Sequence, residues 1–434
     1  MLTSVSALYT TTASAVDAPE VQNIDGALVY NFENDKTIFS YNADEKLYPT
    51  STVKIMTGIL AVEKLGSRTS ETVTITAEML KNVSGNNIGL KEGEIVTVAD
   101  LIWTLLVNGA NDSAYALANI IGGEEKAASG SQAPALDTFI TLMNTRAREL
   151  GAYNTNYTNP SGMHDDNMYT TAWDTAILAR HAYNLSLFLE AASSVKYTMP
   201  ANNVRKSQQN YYNRNCLLTV YYDKNYYDAA AKGLNAGSTQ QGGHSVVTTS
   251  SNGDLTYLIV VMGGKTVDST TYSYVNASSL IDWAFDAYTY TDILSPDKII
   301  CDIPVTLSTV TDVINCVAAD TLNVYLPSDV NVEEAITLSY TLDKEELQAP
   351  VKKGDKVGKV TAMYGEEILG SSDLITTADV TRSELLHTFY QIEQFSHSRF
   401  FIATVISAVV LSAIYIFGTA FIRGRKMSSK RRRY

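Results

Sequence analysis

Pro49-Thr50-Ser51-Thr52-Val53-Lys54-Ile55-Met56-Thr57 is the stretch on which both the fold and the chemistry turn. The spacing predicts a helix over Ser51 to Leu65. It would carry Ser51 and Lys54 on one face, one turn apart. A serine hydroxyl is a weak nucleophile until a neighbouring base takes its proton. A lysine can be that base only if burial lowers its pKa well below the ordinary value. The start of a helix adds backbone N–H groups that can hold an oxyanion. The spacing alone is weak evidence, because Ser193 to Lys196 and Ser295 to Lys298 match it too. The first of these straddles the end of a helical stretch, and the second sits in a linker that contains a proline.

Outward from Ser51, strand-like and helix-like stretches mix. Ala27 to Phe32 and Thr37 to Tyr41 read as a hairpin. Val98 to Val107 and Ala135 to Leu150 have helical spacing, and Thr170 to Ala192 reads as one long helical stretch. His244 to Ser250 and Leu255 to Met262 read as paired strands around a Ser251-Asn252-Gly253 turn, and Thr271 to Ala287 as a last helix. Strands at both ends with helices between them imply a sheet closed by its terminal strands, so the class is α+β. From Ile299 to about Asp379 the pattern changes to short β runs such as Ile336 to Leu342 and Lys356 to Tyr364, a small all-β domain. Ser383 to Phe395 is amphipathic. The expected organisation is a leader over 1–24, a catalytic domain over 25–292 and a β-rich domain over 297–379. A juxtamembrane segment over 380–399, a membrane helix over 400–422 and a basic tail over 423–434 would follow.

The run from Phe400 to Ile422 has 23 residues and no charge. At about 1.5 Å per residue it is long enough to cross a bilayer with some tilt. Seven basic residues and no acidic one follow it. The rest of the chain is therefore seven units more negative than the whole chain's −13. The positive-inside rule puts the tail in the cytoplasm and everything before Arg399 outside, anchored by a single pass. A body that acidic argues against nucleic acid as a partner. The ordinary 18% charged and 45% hydrophobic content excludes wholesale disorder. At the N-terminus, Ala13-Ser14-Ala15 looks like a small-residue cleavage site after the weakly apolar Leu2 to Tyr9, without a basic n-region. A Ser/Thr-rich leader is the other reading. Cys216, Cys301 and Cys316 are too few for a disulfide scaffold and lack metal-ligand spacing, though Cys301 and Cys316 could pair.

The nucleophile segment resembles that of the serine D-alanyl-D-alanine carboxypeptidases, the low-molecular-mass penicillin-binding proteins. The resemblance runs through Leu90-Lys91-Glu92-Gly93-Glu94, Asn111-Asp112, Asn159-Pro160-Ser161-Gly162-Met163-His164-Asp165 and Tyr169-Thr170-Thr171-Ala172, and on to Gly264. Val351 to Gly358 looks like the β-rich domain that follows the catalytic domain in that family. The resemblance implies a penicillin-binding/β-lactamase-like serine transpeptidase fold, an antiparallel sheet with a helical cluster. It implies Ser51 as nucleophile and Lys54 as general base. It also implies an oxyanion hole from the N–H groups of Ser51 and Ser238. The partners would be a peptidoglycan stem peptide ending in D-Ala-D-Ala and β-lactams, with no cofactor and no metal.

Two family motifs are altered. The second is normally Ser-x-Asn ahead of an Asp; here it reads Gly109-Ala110-Asn111-Asp112, so Asn111 is kept and the serine is lost at Gly109. Ser84-Gly85-Asn86 lies too early in the chain to replace it. The third is normally Lys-Thr-Gly; here it is Asn235-Ala236-Gly237. The lysine that would attract the substrate's terminal carboxylate is gone. Lys232 lies three residues early, and Lys265-Thr266-Val267 follows the next strand. Three readings follow: a slow or altered carboxypeptidase, a catalytically dead peptidoglycan- or β-lactam-binding pseudoenzyme or sensor, or a β-lactamase. The last lacks a candidate glutamate base, as no Glu lies between Glu149 and Glu190. His164 and Asp165 fit loop-structuring roles better than metal ligation.

Overall fold

The computed structural model describes residues 17–430. The expected leader over 1–24 therefore falls largely outside the described residues, and so do the last four residues of the tail. Two compact units are present, one extending to Thr289 and one from Tyr290 onward.

The first unit is built on a hairpin, β1 (Gly26–Asn31) and β2 (Lys36–Tyr41), joined to three late strands, β3 (Ala231–Thr239), β4 (Gly243–Ser251) and β5 (Thr256–Gly264). The strand order is β2-β1-β5-β4-β3, antiparallel throughout. The terminal segments thus close the sheet, as the α+β reading requires. Every residue of β1 is buried, because this strand is central and covered on both faces. Between the two groups of strands lie α1 (Val53–Leu65), α2 (Val98–Asn108), α3 (Asn111–Ser129), α4 (Ala135–Glu149), α5 (Ala172–Tyr183) and α6 (Ser186–Ala192). After β5 comes α7 (Tyr272–Ala287). α1 buries Ile55, Met56, Ile59 and Leu60 almost completely and forms the axis of the helical cluster. At about 1.5–3 kcal/mol for each large aliphatic side chain, this burial is what holds Ser51 in place at the helix start.

Local chemistry explains the ends of the helices. Thr97 caps α2 in a reciprocal box: its Oγ1 accepts from Asp100 N at 3.0 Å, and Asp100 Oδ2 accepts from Thr97 N at 2.8 Å. Thr171 caps α5 by accepting from Asp174 N at 2.9 Å. The long helix expected over Thr170 to Ala192 is in fact two helices. Asn184 ends the first, and Leu185 is extended, with φ −91° and ψ 102°. Asn competes with the helix for backbone hydrogen bonds, which favours a stop there. Helix α3 was not anticipated; its Asn119, Gly122 and Gly123 interrupt the apolar period that marks the other helices.

The second unit has a six-stranded sheet. It includes β6 (Ile299–Thr306), β7 (Val313–Ala318), β8 (Ile336–Leu342), β9 (Lys356–Tyr364) and β10 (Glu367–Thr376). The order is β8-β9-β10-β7-β6, extended by the two-residue strand Leu347–Gln348. Cys301 lies opposite Cys316 across β6 and β7, and both are free buried thiols. Helix α8 (Glu384–His397) exposes Leu385, Phe389, Ile392 and Phe395 along one stripe. It leads into α9 (Arg399–Lys430), which continues through the start of the basic tail instead of ending at Ile422. Its Arg399–Arg423 stretch is long and apolar enough to cross a membrane and is not buried against the protein.

Candidate active site

Ser51 lies in a one-turn 3₁₀ segment, Thr50–Thr52, that runs directly into α1. The residue before it, Thr50, has φ +52°. That is a strained conformation for a β-branched residue, of the kind that persists where surrounding packing over-determines it. The packing is visible on two sides. Gly162, at φ +80°, lies so close to the turn that a Cβ there would stand 1.7 Å from Thr50 O. Gly237, on β3, approaches so closely that its Cβ would stand 2.6 Å from Ser51 Oγ. Both positions require glycine, and together they fix the nucleophile turn between a loop and the sheet.

Lys54 Nζ donates to Ser51 Oγ at 3.0 Å and to Ser161 O at 2.6 Å. Lys54 is buried. Among the described residues no carboxylate pairs with it, and burial pulls its pKa from 10.5 down to about 7. Its amine is thus poised between free base and ammonium at neutral pH.

Asn111 opens α3. Its Nδ2 donates to Ser84 O at 2.6 Å and its N–H to Asn86 O at 2.7 Å, while its buried Oδ1 has no partner among the described residues. Asn235 is also buried with an unpartnered Oδ1. Gly109 ends α2 in the left-handed region, φ +67° and ψ 32°. The space beside it is open: the nearest atoms to a Cβ there are Arg214 Cγ and Asn86 Nδ2, each at 3.9 Å. Gly109 and Asn111 line one cavity of about 750 Å³ together with Ser51, Lys54, Ala236, Gly237 and Ser238. All of the expected site residues line this cavity except Asn235, which is buried within the strand that forms its wall. Lys232 does not: it sits exposed where β3 bulges between Ala231 and Leu234.

Three features escaped the sequence reading. The Ser84-Gly85-Asn86 segment, set aside because of its place in the chain, supplies Gly85 and Asn86 to the cavity wall. It is tied down by Asp112, which accepts from Ile88 N and Leu90 N at 3.1 and 2.9 Å. On the far side Arg205 donates to Ile88 O and Gly89 O and pairs with the buried Glu94 at 2.6 Å. The second feature is Arg214, a cation in the cavity wall, with its guanidinium 4.5 Å from the centre of the Tyr222 ring. The buried amides Asn213 and Asn215 on either side pin its backbone. The third is His244, whose Nδ1 lies 2.6 Å from Ser273 Oγ; burial and the nearby Arg214 charge push its pKa down to about 4. Its imidazole is neutral at physiological pH.

His164 pairs with Asp166 at 3.1 Å, while Asp165 Oδ1 accepts from Asn167 N. Both contacts stay within the loop. Among the described residues no three His, Cys, Asp or Glu side chains are grouped to hold a metal ion.

Residues 12–266 match the family model described as D-alanyl-D-alanine carboxypeptidase, and 288–382 match that of the penicillin-binding protein 5 C-terminal domain. The D-alanyl-D-alanine carboxypeptidase DacC of Escherichia coli (strain K12) is 27% identical, covering 84% of this chain and 86% of its own. DacF of Bacillus subtilis (strain 168) is 23% identical, covering 82% of this chain and 86% of its own. Among solved structures, penicillin-binding protein 5 from Haemophilus influenzae superposes with a TM-score of 0.55 at 25% identity, covering 85% of this chain and all of that one. Penicillin-binding protein 6B from Escherichia coli gives 0.59 at 22%, covering 84% of this chain and 99% of that one. The first of the two family models alone spans more than half the sequence, and the chain belongs to the D-alanyl-D-alanine carboxypeptidase family of low-molecular-mass penicillin-binding proteins.

Proposed function

We propose that this protein is a membrane-anchored serine D,D-carboxypeptidase homologue that forms an acyl-enzyme on Ser51, slowly, at the end of a peptidoglycan stem peptide. The observation that carries the reading is the 3.0 Å contact between Ser51 Oγ and a buried lysine whose pKa lies near 7. In its neutral form Lys54 takes the Ser51 proton as Oγ attacks the carbonyl between the two terminal D-alanines. The N–H groups of Ser51 and Ser238 hold the oxyanion. The C–N bond then breaks, a proton passes to the leaving amine, and the last D-alanine departs. Water clears the acyl-serine.

Two steps are weakened. Without a hydroxyl at Gly109, the proton returns to the leaving amine by a poorer route, and one acid–base group contributes roughly 10²- to 10⁴-fold. With a buried Asn235 in place of a lysine, no cation stands at that point of the strand, and Arg214, which lines the cavity with Lys54, can attract the substrate carboxylate instead. β-Lactams, which present a strained amide to the same nucleophile, would acylate Ser51 by the same route. Helix α9 would anchor the chain in the cell membrane. The basic tail would lie in the cytoplasm and both folded units outside, because the positive charge clusters on one side of the span. The second reading, a binding pseudoenzyme or sensor, draws its support from the loss of side-chain chemistry at both Gly109 and Asn235.

The deciding test is the intact mass of the protein after incubation with a penicillin. A covalent adduct that disappears in Ser51→Ala supports the acyl-serine reading, and no adduct after hours at high drug concentration leaves the pseudoenzyme reading. Topology is tested separately with protease added to intact cells. Loss of the folded units with survival of the span and tail is expected; the opposite protection pattern would refute the orientation.

A further inference from the structure

We infer that Asn86 is a substrate-contacting residue, whose side-chain Oδ1 accepts a hydrogen bond from the N–H of the scissile peptide bond beside the position where Gly109 leaves the family serine missing. The inference rests on the reading of the cavity as a stem-peptide site.

Its first support is placement. Asn86 is exposed and lines the same cavity as Ser51, Lys54 and Gly109. Its Nδ2 is 3.9 Å from where a Cβ on Gly109 would lie, so the amide occupies the neighbourhood of the absent hydroxyl. The second support is which end of the amide is free. Nδ2 donates to Asn108 O at 2.6 Å and to Gly109 O at 3.2 Å, with Asn108 Oδ1 at 3.4 Å. Two backbone carbonyls fix that end as the nitrogen. Among the described residues the side-chain hydrogen bonds of Asn86 all run through Nδ2, which leaves Oδ1 as the polar atom to offer a ligand.

The third support is rigidity. The Asn86 carbonyl accepts from Asn111 N at 2.7 Å, and the residues that follow are held by Asp112 on one side and by Arg205 with buried Glu94 on the other. An acceptor held that firmly need not be ordered when the ligand binds, which is what makes a single hydrogen bond effective. An amide oxygen accepts but carries no proton to pass on. Asn86 would therefore restore the orienting half of the missing serine's role and not the proton-relay half, in keeping with slow turnover.

The test separates this contact from a purely structural tie. In the Ser51→Ala chain, one titrates an acyl-D-Ala-D-Ala peptide and the matched depsipeptide ending in D-lactate, which has an oxygen in place of the N–H. Asn86→Ala is expected to weaken the peptide by about 2- to 10-fold, the range for one neutral hydrogen bond, and the depsipeptide by less than twofold. Asn86→Asp keeps an acceptor and loses the donor, so the peptide-to-depsipeptide ratio should survive, since the added charge acts on both ligands alike. Adding Gly109→Ser should shrink the effect of Asn86→Ala. If Asn86→Ala weakens both ligands equally, or neither, the inference is overturned. If the parent pocket binds neither ligand, the stem-peptide reading falls and takes this one with it. If the peptide contrast appears but the parent chain forms no adduct with penicillin, only the acyl-serine reading falls.

Discussion

The two walls of the cavity have been treated differently. On the Ser51 side the chain is packed so closely that Gly162 and Gly237 leave no room for a methyl group, and the base is buried with its two acceptors. On the other side a Cβ on Gly109 would meet only ordinary contacts at 3.9 Å, and two buried amide oxygens, Asn111 Oδ1 and Asn235 Oδ1, have no partner among the described residues. The contrast shows what packing protects. A nucleophile wedged between a helix, a loop and a strand cannot change one residue at a time without steric cost. At Gly109, which faces the cavity, a glycine can stand in place of a serine and lose only chemistry.

The largest effect should come from breaking the packed wall. Gly237→Ala would put a methyl carbon 2.6 Å from Ser51 Oγ. Displacing the nucleophile or the strand behind it should cut the rate of acylation by penicillin at least about 10²-fold, the scale of losing one oxyanion-hole contact. Stopped-flow or timed intact-mass measurements would read it, and an unchanged rate would mean that Ser51 is not held by β3.

Restoring the open wall should act in the opposite direction. Gly109→Ser with Asn235→Lys should raise D-Ala release from a D-Ala-D-Ala peptide by about 10²-fold, using the lower bound for one acid–base group. The room beside Gly109 allows the new side chain, but φ +67° is unfavourable for serine, so the same variant should melt a few degrees lower. A folded double variant as inactive as its parent would show that decay extends beyond these two positions.

A smaller change sharpens the account of charge. Arg214→Ala should weaken peptides with a free C-terminal carboxylate by about 10-fold, the low end for a hydrogen bond to a charged group. Binding of the amidated peptide should scarcely change. Equal losses for the two would assign Arg214 to holding the Tyr222 segment instead of the substrate.

The packed wall was also the more legible one. Ser51 and Lys54 are three residues apart across a 3₁₀ turn that runs into α1, so their meeting follows from helical spacing. Gly109, Asn111 and the 235–237 strand could be placed because chain order brings them after recognisable neighbours. Asn86 and Arg214 could not be read in the same way. Each reaches the cavity through contacts with distant segments, Asn86 with Asn108 and Gly109, and Arg214 through an irregular run whose buried asparagines carry no periodic signal. Helix α3 was missed for a related reason: its burial comes from packing along small residues, Ala114, Ala116, Ala118 and Gly122, which write no strong apolar stripe.

Acylation at Ser51 depends on Lys54 acting as a base of unusually low pKa, and the pH dependence of that acylation tests it most directly. Burial lowers the lysine's pKa, so the protonated, inactive form should dominate only below about 7. The second-order rate of penicillin acylation between pH 5 and pH 10 should fall about tenfold per unit below that midpoint and level off above it, with Lys54→Arg inactive throughout. A rate that keeps climbing to pH 10, or a Lys54→Arg variant that still acylates, would contradict the assignment of Lys54 as the base.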